Sequence, residues 1–103
     1  KIRFSDLSVY KLELLLEYLE EEWSVKVRQN FLEELKKQPE IIQANPYAYQ
    51  ANSIDPELRR CVISKQTSLL YEIGKDGIFV LNLIDSRQNP QSIRAEIRKH
   101  FGK

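Results

Sequence analysis

The run SLLYEIGKDGIFVLNLI, residues 68–84, decides the fold. Its first half alternates, with Leu69, Tyr71 and Ile73 on one side, which is the period of a half-buried strand. Gly74-Lys75-Asp76-Gly77 supplies a hairpin turn, because glycine reaches backbone angles closed to other residues. Ile78 to Ile84 is almost unbroken apolar sequence, which predicts a strand covered on both faces. Upstream, Leu58 to Lys65 also alternates, with Arg59, Cys61 and Ile63 on one face and Leu58, Arg60 and Val62 on the other. Three strands joined by short turns make an antiparallel meander.

The first half of the chain has a different period. After an alternating Lys1-Ile2-Arg3-Phe4, which suits a short strand, Ser5 and Asp6 offer helix caps. Leu12, Leu15, Leu16, Leu19 and Trp23 then recur at three- and four-residue spacing, and Leu7, Tyr10, Leu14 and Tyr18 form a neighbouring stripe. So wide an apolar arc needs more than one covering surface, whether a sheet and a second helix or a partner protein. Ser24 caps a second helix expected over Val25 to Lys37, with Val27, Phe31 and Leu35 in step and Leu32 beside them. The short junction makes the pair an antiparallel hairpin. Pro39 either ends this helix or starts a further turn through Ile41 and Ile42. Residues 45–56 read as loop, and a closing helix is expected from Gln91 to Phe101, carried by Ile93 and Ile97. The resulting fold class is α+β, with an N-terminal strand, a helical hairpin packed on a largely antiparallel meander sheet, and a short C-terminal helix. All helices are expected on one side of the sheet.

Composition narrows the function. At 103 residues the chain fits one domain. No apolar run approaches the roughly 20 residues of a membrane span, and no membrane partner is expected. A lone Cys61 excludes an internal disulfide, making a cytoplasmic location the simplest reading. The absence of methionine suggests that the natural start is missing. One cysteine and one histidine cannot supply a four-ligand zinc site, so no metal or cofactor is expected. Acid–base chemistry, if present, must use Lys, Arg, Tyr or a carboxylate, because His100 lies three residues from the end. Residues 1–52 carry a net charge of −2 and residues 53–103 a net charge of +3, which puts any anion-binding surface on the sheet half.

Several of these residues, taken in order, resemble the RelE/ParE superfamily of bacterial toxins. They are Phe4-Ser5 before a helix, Tyr18-Leu19 near its end and Trp23-Ser24 at the helix junction, then Phe31 with Leu35, and Asn45-Pro46. Leu58-Arg59-Arg60, Leu70-Tyr71-Glu72-Ile73 and Asp85 with Arg87-Gln88-Asn89-Pro90 complete the set. The last motif is most similar to the ParE-like, plasmid-stabilisation branch. The resemblance implies a toxin of a type II toxin–antitoxin system, bound in a hetero-oligomer with its antitoxin. ParE-like members are understood to poison DNA gyrase, RelE-like members to cut messenger RNA in the ribosome, and some have no demonstrated target.

The residues weigh these readings. Ribonuclease chemistry would need fixed cations around a phosphate, flanked by a base and an acid. Arg59, Lys65 and Arg87 are the candidate cations, and Glu72 and Tyr71 the candidate proton-transfer groups. Ser86-Arg87-Gln88-Asn89-Pro90 lacks the Tyr or His that RelE-like enzymes usually carry there, Tyr71 shares a face with core residues, and a net charge of +1 gives little steering toward RNA. A protein-docking toxin needs an exposed surface instead, for which Arg59, Arg60, Arg87, Gln88 and Asn89 are the target-binding candidates. Leu12, Leu16, Leu19 and Trp23 are the antitoxin-binding candidates, although a tryptophan at a helix junction is more often core. Tyr47 and Tyr49 are either packing lids or contacts.

Overall fold

The computed structural model of the chain describes residues 2–51 and 55–102. Its elements in order are β1 (Ile2–Phe4), α1 (Asp6–Glu22), α2 (Val25–Ala44), β2 (Arg59–Val62), β3 (Thr67–Gly74), β4 (Gly77–Asp85) and α3 (Pro90–Phe101). The sheet order is β1-β4-β3-β2. The meander β2–β3–β4 is antiparallel, and β1 joins β4 in parallel, an arrangement that the long connection through α1, α2, β2 and β3 permits. Gly77, at φ 119°, closes the β3–β4 turn in a conformation that favours glycine.

Two apolar layers cover the sheet. Phe31, Leu35 and Ile42 of α2, with half-buried Leu12, Leu15, Leu16 and Leu19 of α1, pack on Cys61, Leu69, Tyr71, Ile78, Val80 and Leu83. On the opposite face, Ile93 and Ile97 of α3 pack on Leu58, Leu70, Leu81 and Ile84. The expectation of helices on one side is therefore corrected: α3 crosses to the other face. Both faces of β3 and β4 are apolar, so each demands its own cover. Helix α2 also runs past the expected Lys37 to Ala44, with Pro39 inside it. Pro39 removes one helical hydrogen bond, but the continuation places Gln38 and fully buried Ile42 on the face that begins with Phe31 and Leu35. Strand β2 is shorter than the alternation suggests, ending at Val62, because residues 63–66 turn back into β3.

One irregularity shapes the rest. Leu70 pairs with Asn82 and Tyr71 with Val80, leaving Leu81 as a bulge. The bulge inverts the alternation of β4, so that Leu81 and Ile84 face α3 while Leu83 joins Val80 beneath the hairpin. Beyond Phe4, the side of β4 away from β3 has no strand beside it among the described residues, and that edge is closed by side chains. Ser5 donates its hydroxyl to the Leu81 carbonyl at 2.6 Å while accepting the Ser8 N–H as the α1 cap. Lys11 donates to the Leu83 carbonyl at 3.3 Å, and the Asn82 amide oxygen accepts the Leu83 N–H at 2.9 Å. An edge strand occupied in this way cannot recruit another strand there.

Candidate functional site

Helix α1 ends where Trp23 leaves helical geometry, with both Trp23 and Ser24 N–H groups returning to the Leu19 carbonyl. The Trp23 side chain is 68% exposed. This corrects the reading of a core plug: the junction is closed by backbone bonds and the indole is left outside. Opposite it lies the turn from β2 to β3, tied to the end of β4 by the Ser86 N–H donating to the Gln66 carbonyl at 2.8 Å. Between helix end and turn runs a groove of about 540 Å³. Leu15, Tyr18, Leu19, Trp23 and Phe31 give it an apolar wall, while Ser64, Lys65, Gln66, Thr67, Asp85 and Arg87 give it a polar one. A smaller hollow of about 220 Å³ shares Leu15, Thr67 and Asp85 and reaches Lys11 and Gln88.

Arg87 is held by Asp85. The carboxylate accepts the Arg87 N–H at 2.8 Å, the Nε at 3.1 Å and a terminal guanidinium nitrogen at 2.8 Å. Those hydrogen bonds hold the Asp85 carboxyl below its ordinary range and push the fully exposed Arg87 guanidinium up. A fork fixed at two points keeps its remaining donors turned outward. Lys65, exposed on the turn, forms no ion pair among the described residues and leaves the polar wall with net positive charge.

The other sequence candidates are dispersed. Arg59 lies at the opposite end of β2 from Lys65, donating to the Tyr49 carbonyl at 2.6 Å and stacking 5.0 Å over the Tyr47 ring. It thereby pins the loop after α2, and half-buried Tyr49 contributes a hydroxyl to Gln38 at 3.0 Å. Arg60 faces the α3 side and donates to the Ser68 hydroxyl at 3.0 Å. Tyr71 is fully buried, its hydroxyl given to the Pro46 carbonyl at 2.7 Å, and burial pushes its pKa up to about 12. Glu72 pairs across from Phe79 on the α3 face, about 17 Å along β3 from its start beside Lys65. Gln88 is half-buried, and Asn89 caps α3 by accepting the Gln91 N–H at 2.7 Å. Leu12, Leu16 and Leu19 turn inward and are half-buried, so a partner would meet only their outer rims. Thus the structure brings together Lys65, Arg87, Leu19 and Trp23, and separates Arg59, Arg60, Tyr71 and Glu72 from them.

Sequence reasoning missed Tyr18 and the Gln66-Thr67 backbone turn as walls of the groove. It also missed half-buried Lys11 and Glu96 and fully buried Asn82, a trio in which Lys11 and Asn82 both donate to the Glu96 carboxylate. Burial raises the Glu96 carboxyl, but the bonds from Lys11 and Asn82 outweigh it and leave the group below its ordinary value. Lys11 and Glu96 are far apart in sequence, and no local pattern announces them.

This four-stranded mixed sheet with three helices is similar in fold to solved proteins of the ParDE and RelE kind. No protein-family model matches the chain, and no curated protein sequence does. Among solved structures, a chain of the chromosomal ParDE toxin–antitoxin system from P. aeruginosa superposes with a TM-score of 0.70 at 12% identity, over 82% of this chain and 94% of that one. The isolated E. coli RelE toxin superposes with a TM-score of 0.54 at 16% identity, over 95% of this chain and 96% of that one. Among the described residues no helix is long and apolar enough to cross a membrane.

Proposed function

We propose that this chain is the toxin of a type II toxin–antitoxin pair, ParE-like, acting by docking on DNA gyrase and silenced by a cognate antitoxin. The observation that carries the reading is the superposition on a ParDE chain at a TM-score of 0.70, together with a groove whose outward-turned Arg87 and exposed Trp23 are side-chain types that anchor protein interfaces. Docking is favoured over catalysis because the proton-transfer candidates do not meet the cations. Tyr71 is buried with its hydroxyl committed, and Glu72 lies on the other face of the sheet. A ribosome-dependent ribonuclease is the second reading, supported by the RelE superposition over 95% of the chain.

The test is induction of the chain in bacterial cells lacking an antitoxin, with DNA and protein synthesis followed by pulse labelling in one culture. An early fall in DNA synthesis is the expected outcome, and an early fall in protein synthesis transfers the reading to the ribosome. Unimpaired growth refutes both and leaves a chain that only binds a partner. Arg87→Ala, at an exposed position paired only locally, is expected to keep the fold and abolish growth inhibition. A variant that remains fully toxic removes Arg87 from the docking surface.

A further inference from the structure

The sheet and α2 cover only one stripe of α1. Tyr10, Leu14 and Tyr18 remain 60%, 49% and 52% exposed, in line along the outer side of the helix with half-buried Leu7 at their head. Together they expose on the order of 300 Å² of apolar surface, the size of the largest patch on an ordinary monomer and often a functional one. The row is a ridge at three- and four-residue spacing, about 16 Å long from Leu7 to Tyr18. Such a ridge fits the groove of another helix, whereas α1 has no free backbone groups along its middle to pair with a strand.

The flanks of the row are acidic. Glu13, Glu17 and Glu21 are exposed beside it and have no ion-pair partner among the described residues. Lys11 borders the other side, but its charge is spent on Glu96. A second copy of this chain is a poor occupant, because a two-fold contact through Leu14 would set the two glutamate rows against each other. We infer that the outer face of α1 seats a basic amphipathic helix from a partner protein, with apolar residues at three- and four-residue spacing covering Tyr10, Leu14 and Tyr18 and lysines or arginines facing Glu13, Glu17 and Glu21. This rests on the toxin reading and gives the contacting segment of the antitoxin its chemistry.

The experiment uses the full chain, isotopically labelled, and a synthetic amphipathic peptide of about 18 residues, long enough to form helix on a surface. One version carries lysines on its polar flanks and a second carries glutamates in their place. The lysine peptide is expected to shift the backbone amides of residues 7–22 and to bind at least about tenfold more tightly than the glutamate peptide, with that preference shrinking as salt is raised. The variant Glu17→Lys/Glu21→Lys changes only exposed positions and is expected to reverse the preference. Equal or tighter binding of the glutamate peptide, amide shifts confined to other elements, or an unreversed preference overturns the proposal. So does self-association of the chain that Leu14→Ser abolishes. Toxicity plays no part in this readout. A toxic chain that ignores the lysine peptide refutes the surface alone, and a harmless chain that binds it refutes the toxin reading alone.

Discussion

Replacing Lys11 by Met tests whether α1 and α3 are locked together across the open edge of β4. The Lys11 ammonium bridges three elements: α1 by its own backbone, β4 through the Leu83 carbonyl and α3 through Glu96. Exposed ion pairs contribute less than about 1 kcal/mol, whereas breaking a fully buried one costs about 3–5 kcal/mol. With side chains 21% and 23% exposed, this pair lies between those limits. Asn82 still donates to Glu96 after the substitution, so Lys11→Met is expected to cost about 2 kcal/mol, which lowers Tm by about 10 °C in a chain of this size. Glu96→Gln keeps the shape and loses the charge, and the double variant is expected to show a coupling of about 1 kcal/mol in urea unfolding. The pH dependence has a definite sign. The Glu96 carboxyl is held below its ordinary value of 4.5 in the folded chain, so its contribution is complete above that pH and is lost as the pH falls through the lower folded value. Glu96→Gln should flatten this acid limb. A coupling below about 0.3 kcal/mol, or an acid limb unchanged in Glu96→Gln, refutes the lock.

Two further outcomes follow from individual side chains. Trp23 is the sole tryptophan and lies at the mouth of the groove. Its fluorescence is expected at the red end of the range and open to acrylamide quenching, and Trp23→Ala is expected to change stability by less than about 0.5 kcal/mol; a shielded, blue-shifted emission contradicts the exposed placement. Tyr71, its pKa pushed up to about 12 from an ordinary 10, stabilises the fold fully below pH 10 and loses that contribution as the pH rises toward 12. Tyr71→Phe should lessen the alkaline loss of stability, and an alkaline unfolding curve unaltered by it contradicts a buried, protonated phenol.

The elements themselves were legible because each carries a strong local period. The hairpin through Gly74 to Gly77 and both long helices lie where alternation and three-to-four spacing predict them. What could not be read is long-range. Ile93 and Ile97 announce an apolar face on α3 but not which side of the sheet receives it, since β3 and β4 are apolar on both. Pro39 looked like a boundary because its local penalty is visible in the sequence, while the burial of Ile42 that outweighs it depends on the sheet beneath. Asn82, the one polar residue between Ile78 and Ile84, was the visible trace of a break in alternation. Its meaning depends on the bulge at Leu81 and on Glu96. The basic candidates failed as a cluster for a geometric reason: Arg59 and Lys65 share parity, but Arg59 opens β2 while Lys65 lies in the turn beyond its other end.

What survives of the candidate site is a pair of walls with different chemistry. Asp85 neutralises Arg87 at close range and also fixes the guanidinium relative to β4, through one backbone and two side-chain bonds to the same carboxylate. A free arginine on a loop would have to be ordered by whatever binds it, at a cost in side-chain entropy. Arg87 is already ordered, and Lys65 across the turn supplies charge that Asp85 does not cancel. A ligand entering the groove therefore meets an oriented donor, an unpaired ammonium and an exposed indole on the facing wall. That combination suits a protein loop carrying a carboxylate beside an apolar side chain better than a nucleic acid, whose successive phosphates would need the row of cations that this sheet has dispersed. The docking reading thus follows from how Arg59 and Arg60 are spent as much as from where Arg87 points.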